Sequence, residues 1–80
     1  MFIRTQDRQV LVNLNNIINI SAESGENYSK LYAFLTRPIL GCNWVVLGEF
    51  QDKDKALYEL DYIQNWINQS TNKVYEITID

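Results

Sequence analysis

Eighty residues with seven Lys plus Arg, ten Asp plus Glu, no His, one Cys and 46% apolar residues predict a single domain over 1–80, too short for a second core. Without His, the usual imidazole base, the Ser/His and Cys/His couples and the commonest transition-metal ligand are all missing, and a lone Cys42 provides neither an internal disulfide nor a zinc site. A net charge of -3 gives no general attraction to nucleic-acid phosphates, and no uncharged apolar run approaches the length of a membrane span, so the expected location is the cytoplasm, away from membranes.

In chain order, Phe2 to Thr5 reads as a strand, Gln6-Asp7-Arg8 as a turn, and Gln9 to Leu14 as a second strand with Val10, Val12 and Leu14 on one face. Leu14-Asn15-Asn16-Ile17 forms a polar kink, because Asn side chains bond their own backbone. A third strand follows, with Ile18, Ile20 and Ala22 alternating with Asn19 and Ser21. Ser24-Gly25-Glu26-Asn27 then supplies a hairpin loop, in which Gly25 is expected at positive φ. Tyr28 to Thr36 is the fourth strand. It sets Leu31, Ala33 and Leu35 against a second face of Tyr28, Lys30, Tyr32 and Phe34. Pro38 lacks a ladder donor and Gly41 suits a turn, so Arg37 to Gly41 is expected to leave the sheet before Asn43 to Phe50 returns. In that fifth strand both faces are apolar, and Gly48 marks a bulge or a close backbone approach.

After Phe50 the period changes. Asp52 is a candidate N-cap, and Ala56, Leu60, Ile63 and Ile67 make one stripe of an amphipathic helix over about 52–68. A short strand over about 73–79 closes the chain, and either joins the sheet edge or pairs with another chain. The predicted class is α+β: an antiparallel meander of about five strands with one helix packed on it.

These elements leave aromatic residues without an assigned place. Tyr28, Tyr32, Phe34 and Trp44, with Val46, occupy the sheet face away from the helix, either as a partner-facing patch or as the inside of a curled half-barrel. Tyr58 and Tyr62 lie one turn apart on the outer helix face with Trp66 beside them, either as binding anchors or as ordinary surface residues. Lys30 between two tyrosines, with Arg4, Arg8 and Arg37 elsewhere, is a thin version of a base-stacking surface. For catalysis the candidate groups are Glu23, Glu26, Glu49, Asp52, Asp54 and Asp61 with Cys42. Asp52 and Asp54 suit helix capping better than acid/base work, and Cys42 has no base to deprotonate it. No calcium loop or phosphate-binding Gly loop occurs, so no catalytic, metal or cofactor site is expected.

The segments Leu11-Val12-Asn13-Leu14-Asn15-Asn16-Ile17 and Val46-Leu47-Gly48-Glu49-Phe50, the second leading into a charged helix, resemble a family of short uncharacterised bacterial proteins. The resemblance runs from about Phe2 to about Ile67 and implies a meander followed by one helix, with no known activity. The Arg37 to Cys42 loop is longer than that family's tight turn, and Val74 to Ile79 extends past its core pattern. The expected function is that of a non-enzymatic cytoplasmic protein-interaction domain whose partner is another protein or itself, with self-association through the free sheet face or the last strand. The alternative is a nucleic-acid-binding accessory protein using the sheet aromatics and scattered basic residues.

Overall fold

Alternating apolar residues and polar turns give the chain an α+β fold in the computed structural model, which describes residues 1–69 and 73–79. The strands are β1 (Phe2–Arg4), β2 (Leu11–Asn13), β3 (Ile17–Ser24), β4 (Ser29–Ile39), β5 (Cys42–Phe50) and, after the helix α1 (Lys53–Gln69), β6 (Val74–Glu76). The expected polar kink is a single 3-10 turn, Leu14–Asn16, entered through the Asn13 side chain, which accepts from the Asn15 N–H at 2.9 Å. Asp52 caps α1 by accepting from the Lys55 N–H at 2.9 Å. Ser70, Thr71 and Asn72, the end of the polar run expected to stop the helix, lie outside the described residues.

The strands divide between two three-stranded sheets, β2-β1-β6 and β3-β4-β5, instead of forming one five-stranded sheet. Gln6 bridges the two sheets. Directly after β1 its N–H donates to the Leu47 carbonyl at 2.8 Å, and its side-chain amide continues the contact as a strand would. Nε2 donates to the carbonyls of Glu49 at 3.1 Å and Thr78 at 2.9 Å, and Oε1 accepts from the Glu49 N–H at 2.9 Å. One residue therefore joins the sheets where a backbone ladder would have merged them. The last strand takes the edge of the first sheet, parallel to β1, with Phe2 opposite Val74 and Arg4 opposite Glu76. Arg8 pairs with Glu76 across this edge.

Between the sheets and α1 lies one core of Ile3, Val12, Leu31, Ala33, Leu35, Leu47, Phe50, Ala56, Ile63 and Ile77. The period-two reading of Leu31, Ala33 and Leu35 is met in full, each being buried. Gly48 meets both expectations. It pairs with Leu31 where Leu47 is the extra residue of a bulge, and a Cβ there would stand 2.9 Å from Ile77 Cγ2.

Three local expectations are corrected. Arg37 to Ile39 stays in the sheet: β4 runs through Pro38 to Ile39, and the turn shrinks to Leu40 (φ 50) and Gly41 (φ 83), a two-residue hairpin of the left-handed kind. Pro38 is tolerated because the register shifts between the Phe34–Trp44 and Ile39–Cys42 pairs, where no ladder donor is required. The Asn16 side chain replaces the missing neighbour, accepting from the Arg37 N–H at 2.8 Å and donating to its carbonyl at 3.1 Å. Gly25 does not have a positive φ. The exposed Tyr28 ring lies over it, its Cε1 2.5 Å from where a Cβ would stand. Ile18 does not join Ile20 and Ala22, because a register shift between Ile17 and Asn19 turns it outward to 66% exposure.

Candidate interaction surface

The face of β3-β4-β5 away from the core carries three cross-strand rows: Asn19, Phe34 and Trp44; Ser21, Tyr32 and Val46; Glu23, Lys30 and Glu49. Period two forces this composition, since burying Leu31, Ala33 and Leu35 turns Lys30, Tyr32 and Phe34 the other way. The rings form one cluster. Tyr32 meets Trp44 edge-on with centroids 5.8 Å apart and an interplanar angle of 69°, and its centroid lies 6.3 Å from that of Phe34. Trp44 is 47% exposed, Tyr32, Phe34 and Val46 are half-buried, and Tyr28 is exposed at the far end of the face. The curl of the sheets therefore leaves this face open: the core that α1 and the first sheet complete is built on the opposite side.

Charge at the lower row is balanced locally. Lys30 Nζ sits 5.3 Å from the Tyr28 ring centroid and 3.8 Å from Glu49 Oε1, and Glu23 is directly across the ladder. The cation expected to serve nucleic acid is thus flanked by two carboxylates.

The seven aromatic candidates separate into three groups. Tyr32, Phe34 and Trp44 come together, with Tyr28 at the margin. Tyr58 and Tyr62 are exposed on the outer side of α1, beside a hollow of about 170 Å³ that Phe50 and Glu59 also line. Trp66 turns inward. It is half-buried against Tyr75, with ring centroids 5.5 Å apart, and its buried Nε1 has no hydrogen-bond partner among the described residues.

One residue was missed from the sequence. Glu59 is 2% exposed, and its Oε2 accepts from the Tyr75 hydroxyl at 2.8 Å and the Thr78 N–H at 3.0 Å, fastening the chain after α1 back onto the helix. Burial, followed by the Glu59 hydrogen bond, holds the Tyr75 phenol well above the ordinary tyrosine range. The available signal was the spacing Ala56, Glu59, Ile63, which places a carboxylate within the buried stripe.

The remaining candidate groups do not converge. Glu23 and Glu49 flank Lys30, Asp52 caps the helix, Cys42 is exposed at the start of β5, and Asp61 lines a separate groove without another carboxylate. That groove, about 570 Å³, runs between β3 and α1 and is walled mainly by Ile17, Ile18, Ile20, Leu60, Ile63 and Ile67. Among the described residues no three His, Cys, Asp or Glu side chains gather as metal ligands, and no helix is long and apolar enough to cross a membrane.

No protein family, curated protein or solved structure matches this chain.

Proposed function

We propose that this chain is a cytoplasmic protein-interaction domain without catalytic chemistry of its own, which binds a partner protein through the open sheet face bearing Tyr32, Phe34 and Trp44. The observation that carries the reading is the single cluster these rings make on a face that neither α1 nor the first sheet covers. Aromatic side chains bury large areas at low entropic cost, and Tyr and Trp dominate binding hot spots. The polar margin of Asn19, Ser21 and Glu23 along β3 suits the rim of such a contact. A protein partner is favoured over nucleic acid because Lys30 is neutralised by Glu49 and faced by Glu23, which leaves the row beside the rings acidic.

A photo-crosslinking amino acid tests the proposal inside cells producing the protein. Placed at Phe34 it should give a discrete heavier adduct that Tyr32→Ser removes, whereas the same group at Leu40, 99% exposed on the hairpin tip, should give none. Equal adducts at both positions, or an adduct indifferent to Tyr32→Ser, would contradict the assignment of the face.

A further inference from the structure

β3 is an outer strand of its sheet, and the free edge runs the length of Ile17–Ser24. The Gly25 N–H bonds the Tyr28 carbonyl at 2.9 Å, and from there the antiparallel alternation turns the backbone groups of Glu23, Ser21 and Asn19 toward β4. Ile20 and Ala22 consequently point N–H and C=O away from the sheet. Among the described residues no other element's backbone pairs with them. Natural edges are blunted by Lys, by Pro, by inward-pointing charge or by bulges. β3 has no Lys or Pro, its one charge, Glu23, lies on the aromatic face, and its bulge at Ile18 is confined to one end.

Beside this edge runs the groove of about 570 Å³ between β3 and α1. Both of its walls hold apolar side chains at the surface, Ile18 on the strand and Ile67, 46% exposed, on the helix.

We infer that β3 pairs antiparallel with β3 of a second copy of this chain, about a two-fold axis at Ser21. That register sets Ile20 opposite Ala22 of the second copy and Asn19 opposite Glu23 of the second copy. The outward-facing pairs exchange both backbone bonds, and no like charges stand opposed. A second copy meets two needs at once. Its strand satisfies the edge, and the same axis sets its helix on the same side of the joined sheet, next to the groove that Leu60 and Ile67 line. A lone extended segment would satisfy the edge alone. The interface leaves the aromatic face free, so it stands independently of the function proposed above.

Light scattering from about 1 µM to about 100 µM should show the mass rising from one chain to two, as a concentration-driven equilibrium requires. Ile18→Lys and Ile67→Lys alter exposed side chains, and each should keep the circular dichroism of the native chain while moving the dimer midpoint upward by at least about tenfold, the factor one lost apolar contact commands. Tyr32→Ser should leave the mass unchanged. Hydrogen exchange should find the Ile20 and Ala22 amides protected in the two-chain species and unprotected in Ile18→Lys. A constant one-chain mass overturns the inference and leaves the edge to a foreign strand. A dimer indifferent to both lysine variants, or one in which Ile20 and Ala22 exchange freely, overturns it as well.

Discussion

Glu59 stands where the helical period asks for an apolar side chain, between Ala56 and Ile63, and its carboxylate is buried while accepting from the Tyr75 hydroxyl and the Thr78 N–H. Removing it strands both donors, so Glu59→Leu, which matches the stripe in hydropathy, should lower the free energy of urea unfolding by about 3 kcal/mol. A neutral outcome would mean that the two bonds contribute little. Tyr75 gives the same contact a pH signature. Below the ordinary phenol value of 10.0 it is protonated in folded and unfolded chains alike, and its contribution is fully present. Above that value the unfolded chain ionises first, and stability falls as pH rises toward the elevated folded value. Tyr75→Phe should cost about 1–2 kcal/mol at neutral pH and decline less steeply above pH 10.0, as read from unfolding curves across that range.

At the scale of elements, the longest strand pair shows how far local rules reach. Leu31, Ala33 and Leu35 were legible as core because period two and burial agree, and Asp52 as a cap because the helix signal begins beside it. Pro38 lacks a ladder donor, yet the chain stays in line because its neighbour Arg37 is bonded from outside the strand. Asn16, distant in sequence, supplies the bonds that hold Arg37 in line, and no pattern within β4 announces that. Gly25 differs, since its φ is not positive and the nearest atoms to it are those of the exposed Tyr28 ring, a contact that no turn pattern shows. Asn16→Ala should therefore destabilise the fold by about 1 kcal/mol and raise amide exchange at Arg37, with little change at Lys30 or Leu31. Uniform loosening of β4 would contradict a clamp confined to the bulge.

On the scale of the whole molecule, the division into two sheets decides which face stays open. A single continuous sheet is the natural reading of successive strands, and the bonds that link the two sheets instead run through the Gln6 side chain, which nothing in its sequence context marks. Both sheets enclose the core with α1, and the aromatic residues of β4 and β5 are left outside. The sequence showed which residues share that face. It could not show whether the face closed, because closure depends on contacts between segments as far apart as Gln6 and Thr78. Exposed aromatic rings therefore come from the topology as much as from the residues, and they are the basis for reading this chain as an interaction domain.

The most direct test is the unfolding free energy of Trp44→Ala, measured in urea against the native chain. If the ring lies on an open face and gains only its edge contact with Tyr32, the loss should be about 1 kcal/mol, the scale of one aromatic pair. A loss of about 3–5 kcal/mol, the cost of deleting a buried aromatic side chain, would make Trp44 part of the core and remove the surface on which the account rests.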